Sequence, residues 1–296
     1  MSSSQIGWTK IDSKSEIGHF QTKSGRVLYL KKVYAKNKKT QLKTIVLFHD
    51  LGSYHEGFEH FIQYARENFD GVGFILLDYF GHGFSSGTRG HIDDFKELAY
   101  EISEALGEIK KTKNEEWIAA GQGVGSLVLL HTLLELQKND RPIFDKIVLS
   151  HFMLKIDSKM ISFYSNLKRL VEIRTVEDSL ATLRPLTFYQ VEYLTSDIQR
   201  QIKFLQDPLN LTKPTLQTIL LVQNSLAEIG QLIREVKLPL LLLQGMSHYV
   251  DREELRNFKS NVKKDFLTQK LYPNLAHDLY NEKDSYLVFN DILAWI

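Results

Sequence analysis

Trp117-Ile118-Ala119-Ala120-Gly121-Gln122-Gly123-Val124-Gly125-Ser126 is the stretch on which the fold of this chain turns. It opens on an apolar run of strand length, passes through closely spaced glycines, and leads into a helical pattern from Ser126 to Leu136. Strand, sharp turn and helix in that order is the layout of the G-x-S-x-G elbow, which holds a serine on a strained corner. The outer glycines stand at Gly121 and Gly125, but the central position is Gly123. The mount for a nucleophile is written in the chain and its attacking side chain is not. Ser126 falls within the helix, away from the corner where a base could reach it.

Outward from that stretch, strands and helices alternate. Ile17–Thr22 and Arg26–Tyr34 read as a hairpin about Lys23-Ser24-Gly25. Thr44–Phe48 and Gly73–Leu77 are continuous apolar runs, as expected for strands covered on both faces. Phe58–Phe69 has helical spacing. Asp94 and Glu97 form a capping-box pattern ahead of Phe95, Leu98, Ala99, Ile102, Leu106 and Ile109, which share one helix face. Lys146–Leu149, Leu238–Gln244 and Phe266–Tyr272 read as further strands, and a closing helix runs from Asp284 to Ile296. This alternation predicts an α/β fold, a mostly parallel central sheet with helices on both faces. Between Phe152 and Val236 no buried strand is legible and helical spacing dominates. The expected organisation is therefore a core of residues 1–151 and 237–296 with a helical cap inserted at 152–236, over the carboxyl ends of the strands where open α/β sheets bind ligands.

Composition narrows the function. The 296 residues carry 43% hydrophobic and 25% charged side chains and a formal net charge of +1, so no global attraction to nucleic acid is expected. There is no cysteine, which excludes thiolate chemistry and cysteine metal sites. The N-terminal residues lack a basic start and apolar run, and no segment has membrane-spanning length, so a cytoplasmic location without a transmembrane segment is the expectation. The lysines from Lys31 to Lys43 read as a solvated hairpin and loop.

Several further segments accompany the elbow. They are His49-Asp50-Leu51-Gly52 after the first buried strand, Asp78-Tyr79-Phe80-Gly81-His82-Gly83-Phe84-Ser85 followed by Gly87-Thr88-Arg89-Gly90-His91, Leu194-Thr195-Ser196-Asp197, Asp207-Pro208-Leu209, the strand ending at Gly245, and Tyr272-Pro273-Asn274-Leu275-Ala276-His277-Asp278-Leu279-Tyr280-Asn281-Glu282. In this order they resemble the α/β-hydrolases of the monoacylglycerol lipase and lysophospholipase group. The resemblance implies an α/β-hydrolase fold and assigns roles by position. Gly123 falls in the nucleophile slot, vacated; His277 falls in the base slot; the backbone N–H groups of Leu51 and Val124 fall in the oxyanion hole. The acid is expected in a G-x-x-D pattern, which here reads Gly245-Met246-Ser247-His248, placing His248 in an altered acid slot, with Ser247 the alternative if the segment is one residue short. Asp251 could replace the acid or, with Glu254, cap the next helix. Asp50 stands where glycine is usual, and a carboxylate there opposes a developing oxyanion.

Loss of a triad nucleophile costs roughly a million-fold in turnover, and further losses add little because the triad works as a unit. The sequence therefore points to a catalytically degenerate α/β-hydrolase. It would bind a lipid-like or acyl ligand, in a pocket that Phe163, Leu170, Phe188, Tyr193, Leu216 and Leu220 could line unless they simply form the core of the cap, or a protein partner. The alternative is an active ester or lipid hydrolase with a displaced nucleophile or acid, and a scaffold without ligand is a third reading. His248, His277 and Asp50 could approach a zinc-type set, but no local metal signature accompanies them; neither metal nor cofactor is expected.

Overall fold

A computed structural model describes residues 6–36, 42–151, 191–246 and 252–296. Nine strands form one open sheet: β1 (Ile6–Lys10), β2 (Ser15–Gln21), β3 (Val27–Val33), β4 (Lys43–Phe48), β5 (Val72–Asp78), β6 (Glu116–Gln122), β7 (Lys146–Ser150), β8 (Leu240–Gly245) and β9 (Leu267–Tyr272), in the order β1-β2-β3-β5-β4-β6-β7-β8-β9. The pairs β1–β2, β2–β3 and β3–β5 are antiparallel, and all pairs from β5 through β9 are parallel. The central strands are buried along nearly their whole length, which is why they read as unbroken apolar runs rather than alternations.

Helices cover both faces. Helix α1 (Glu59–Asn68) and the terminal helix Ser285–Trp295 pack on one, burying Phe58, Phe61, Phe289 and Ile292 against Ile45, Phe74 and Leu241. Helices α2 (Phe95–Gly107) and α3 (Val124–Lys138) pack on the other, where Leu98, Ile102, Leu106 and Leu127 meet Val46, Ile75 and Leu242. Asp94 caps α2 by accepting Lys96 N at 2.6 Å and Glu97 N at 2.9 Å, but Glu97 turns to Arg26 Nη2 instead of closing the expected box. Helix α3 is buried almost all round, from Val124 to Leu133, so its sequence shows little amphipathic contrast.

Strand β1 was not legible in the sequence. It lies at the sheet edge, alternates weakly, and owes its conformation to pairing with β2. Between Val191 and Val236 the chain forms a helical turn (Val191–Leu194) and the helices Ile198–Gln206 and Leu216–Glu235, with Pro208 and Pro214 in the break between the two. This segment is tied to the loop after β5: Arg89 Nη2 donates to Leu209 O at 2.7 Å, Thr215 N to Gly90 O at 2.9 Å, and Ile92 N to Thr218 Oγ1 at 2.8 Å. Phe163, Leu170 and Phe188 lie outside the described residues. Among those described, no helix is long and apolar enough to cross a membrane.

Candidate functional site

The site is built where β4 and β6 end side by side. Their parallel register pairs Phe48 with Gly121, so the residues just beyond, His49-Asp50 and Gln122-Gly123, emerge level at the carboxyl end of the sheet. The chain then turns at Gly123, with φ 53° and ψ −123°, into α3. A residue with a side chain is strained at that positive φ, and glycine is not. The flanking glycines answer a different need. A Cβ on Gly121 would meet the Ser126 backbone at 2.7 Å, and one on Gly125 would overlap the carbonyl oxygens of Phe48 and His49.

Asp50 dominates this corner. Its Oδ1 accepts Leu51 N–H at 2.8 Å and Val124 N–H at 2.7 Å. Its Oδ2 lies 2.6 Å from His277 Nε2. A Cβ on Gly123 would overlap Asp50 Oδ1 and Cγ and stand 2.6 Å from Oδ2. The carboxylate thus fills the space above Gly123 and engages both backbone donors at once. The main chain of Asp50 is held from behind: His49 Nε2 accepts Tyr79 N–H at 3.2 Å, which leaves its Nδ1 to donate to Asp50 O at 2.8 Å. Burial pushes the His49 imidazole down to about 4, so it stays neutral in this role.

His277 arrives on the loop after β9. Burial disfavours its charged form, but the Asp50 charge and hydrogen bond outweigh that and hold its pKa above the ordinary value. The His151 ring packs edge-on at 4.4 Å between centroids. His151 sits just past β7 with φ 39°, and Gln244 Nε2 lies 3.2 Å from its Nδ1. Burial, with the His277 charge, drives its pKa well below the usual range, so it is a neutral neighbour. On the other side Asp278 Oδ1 accepts Gln122 Nε2 at 2.8 Å and its Oδ2 accepts Asn281 Nδ2 at 2.9 Å. Burial raises the Asp278 carboxyl to about 6 against the opposing pull of those hydrogen bonds and of His277. Buried Glu282 fixes the loop by accepting Ala276 N and Ser196 N, both at 3.0 Å, while Thr195 Oγ1 donates to Asn281 O at 2.8 Å.

The Asp78–Ser85 motif is a frame for this corner. Asp78 accepts His55 N–H at 2.8 Å and Phe84 N–H at 2.9 Å, and a Cβ on Gly83 would collide with its carboxylate.

Of the site residues read from the sequence, Gly123, Leu51, Val124 and His277 converge, and Asp50 joins them all. His248, Ser247 and Asp251 lie outside the described residues. Ser126 is fully buried, its N–H bonded to Gly123 O at 3.0 Å, and its Oγ has no hydrogen-bond partner among the described residues. Sequence reasoning noted Asp50 as an intruder but not as the group that bridges the others, and it missed His151, Gln122 and Asp278. A signal for Asp278 was available in its place beside His277. His151 carries none, because only the sheet order brings β7 next to β8. A cleft beside the histidine loop is lined by Tyr54, His60, Leu194, Phe204, Asp278 and Asn281, a mixed polar wall. Among the described residues no cluster of three or more His, Cys, Asp or Glu could hold a metal ion.

The sheet order, the strand-to-helix corner and the helices on both faces define an α/β-hydrolase fold. The chain belongs to the family described as serine aminopeptidase, S33, whose pattern matches residues 39–284. It is similar to the monoacylglycerol lipase of Mycolicibacterium smegmatis, 21% identical over 283 residues that cover 85% of this chain and 87% of that protein. It is also similar to the uncharacterized protein YnbC of Escherichia coli K12, 26% identical over 86% of this chain, though the chain spans only 42% of that relative's length. Against the uncharacterized abhydrolase domain-containing protein DDB_G0269086 of Dictyostelium discoideum it spans 26%. Among solved structures, the Paleococcus ferrophilus monoacylglycerol lipase superposes with a TM-score of 0.70 at 20% identity, covering 90% of this chain and 97% of that one. A soluble variant of the Saccharomyces cerevisiae monoglyceride lipase, solved with a substrate analog, superposes with a TM-score of 0.74 at 17% identity, covering 100% and 95%. The chain is thus an α/β-hydrolase of the serine aminopeptidase S33 family.

Proposed function

We propose that this α/β-hydrolase has lost serine-dependent ester hydrolysis, with Gly123 in the vacated nucleophile slot and His277 in the base slot. The observation that carries this reading is the position of Asp50. Acyl transfer needs two free N–H groups for the oxyanion. Here the N–H groups of Leu51 and Val124 both bind Asp50 Oδ1, and a side chain at Gly123 would overlap the same carboxylate. Gly123 supplies no attacking group, and Asp50 occupies both the space above it and the two oxyanion donors. The retained role is binding, of a lipid-like or acyl ligand or of a protein partner.

The rival reading is an active ester hydrolase with a moved serine, and it draws on the likeness to monoacylglycerol lipases. Ser126 does not serve it, since its hydroxyl is buried inside α3. A fluorophosphonate probe and a monoacylglycerol assay test the two together. Absence of labelling and of turnover above that of Asp50→Asn, Gly123→Ala and His277→Gln variants supports the degenerate reading. Labelling of any serine accompanied by ordinary enzymatic turnover overturns it. Lipid extraction of the purified protein, read by mass spectrometry, tests the binding role.

A further inference from the structure

On the face of the sheet that carries α1, the hairpin of β2 and β3 reaches past the helix. Directly paired residues of an antiparallel pair share a face, so Ile17 and His19 of β2 stand beside Lys31 and Tyr29 of β3. Ile17 is half-buried and His19 exposed. Between this open hairpin and α1 lies a groove of about 950 Å³. Its floor is apolar: Val33, Ala35 and Leu76 are buried and Ile62 is half-buried.

Four cations gather along this groove around the backbone of Tyr34. Tyr34 N–H donates to Lys14 O at 2.8 Å, and Arg66 Nη1 donates to Tyr34 O. The turn after β1 and helix α1 are thereby both tied to the end of β3. Lys31 and Lys36 flank that point along the chain and line the same groove. Lys14 stands on a turn fixed by Asp12, whose Oδ1 accepts Lys14 N–H and Ser15 N–H, each at 2.7 Å. Among the described residues none of Lys14, Lys31, Lys36 and Arg66 forms an ion pair. The carboxylates lining the groove are engaged elsewhere. Asp12 serves its own turn, Glu56 accepts the Tyr54 hydroxyl at 3.0 Å, Glu59 meets Lys203 at 3.7 Å, and Glu67 accepts Gln63 Nε2 at 2.9 Å.

We propose that this groove docks an acidic segment of a partner protein, with its carboxylates on Lys14, Lys31 and Lys36 and its apolar side chains over Ile62 and the floor. Cations held in place and not already paired attract a carboxylate without first breaking another contact. The helix wall argues for a peptide over a nucleic acid. A continuous row of phosphates would also run against Glu56, Glu59 and Glu67, whereas an extended peptide sends alternate side chains to opposite sides and can offer its acids to the hairpin wall alone. Asp50, Gly123 and His277 do not line the groove. The proposal therefore gives chemistry to a protein partner and does not rest on the loss of hydrolysis.

The test uses the full chain and a fluorescein-labelled twelve-residue peptide of alternating Glu and Leu, at about 0.15 M salt, where distant surface charges are screened. Fluorescence anisotropy should rise on adding protein, and the same peptide with Gln for Glu should bind roughly tenfold more weakly. Carbodiimide, which couples a carboxylate to an amine in contact with it, should join the peptide to Lys14, Lys31 or Lys36. Lys14→Glu, Lys31→Glu and Lys36→Glu together should weaken binding by on the order of a hundredfold. The same reversal at three exposed lysines elsewhere, Lys110, Lys113 and Lys237, should leave it nearly unchanged. Thermal unfolding checks that each triple variant folds, and Lys14→Gln, Lys31→Gln and Lys36→Gln together serve if the reversed set does not. The proposal is overturned if the peptide does not bind, if the Gln peptide binds equally well, if the couplings fall on other lysines, or if both triple reversals weaken binding alike. Tighter binding of a single-stranded DNA twelve-mer than of the Glu peptide overturns it too, since the groove would then be a general polyanion site. Failure on any of these counts leaves the reading of the elbow untouched, and an ester-cleaving, fluorophosphonate-labelled protein would leave this proposal standing.

Discussion

The carboxylate of Asp50 and any side chain at position 123 exclude one another: a Cβ on Gly123 would overlap Asp50 Oδ1 and Cγ. The two positions lie on loops that leave adjacent parallel strands, and only one of them can place atoms over the corner of the elbow. A change at either is therefore felt at the other.

Gly123→Ser alone meets both the positive φ and the Asp50 carboxylate. It is expected to destabilise the fold by about 1–3 kcal/mol and to give no esterase activity. Asp50→Gly vacates the space, so the double variant recovers part of that loss. A double-mutant cycle in urea should return a coupling energy of at least about 1 kcal/mol. Additive single effects would show that Asp50 does not hold this position in solution.

The Asp50–His277 pair makes stability depend on pH with a definite sign. The folded pKa of His277 is raised above its unfolded value of 6.5. Its stabilising contribution is fully present below about 6.5 and is lost as pH rises through the raised folded value. Asp50→Asn removes the charge, and its amide can still accept from Leu51 and Val124. The expected result is a lower His277 pKa by NMR titration and a flatter stability profile on the alkaline side of neutrality. An unchanged His277 titration would refute the pairing.

Asp278 has the same sign for a different reason. Burial lifts its folded pKa from 3.8 to about 6, so ionisation is penalised in the fold. The penalty is absent below the unfolded pKa, grows as pH rises toward 6, and is complete above it. Asp278→Asn cannot ionise but forfeits one hydrogen bond, that from Asn281. Relative to the variant, wild type should lose roughly 3 kcal/mol between pH values of about 4 and 7. Chemical denaturation at several pH values measures this directly.

Gly125→Ala puts a methyl group into the carbonyl oxygens of Phe48 and His49, backbone atoms of β4 and its end that cannot step aside. It should cost more than about 3 kcal/mol or prevent folding. Gly7→Ala, at the sheet edge where a Cβ meets nothing within 4 Å, should stay within about 0.5 kcal/mol of wild type. A mild Gly125→Ala would mean that the elbow is looser than described.

Ser126→Ala removes a buried hydroxyl that has no hydrogen-bond partner among the described residues. Leaving such a group unsatisfied costs on the order of 1 kcal/mol or more, so the variant should be as stable as wild type or more so. A large loss of stability would point to a partner for Ser126.

The strands β4 to β8 were readable because burial on both faces forces unbroken apolar runs, and α2 because one buried face imposes its periodicity. Edge strand β1 was not, since pairing with β2 rather than its own composition makes it a strand. The capping pattern at Asp94 and Glu97 was half realised, because Arg26, remote in sequence, competes for Glu97.

The sequence by itself determined that the corner of the elbow lacks an attacking side chain, that its flanking positions are glycine, and that a histidine loop follows the last strand. It also showed an aspartate in an unexpected place after β4. Only the tertiary structure decided what that aspartate does. The parallel register of β4 on β6 sets Asp50 level with Gly123, and the loop after β9 brings His277 onto its other oxygen. That register is a property of the pair of strands, written in neither alone.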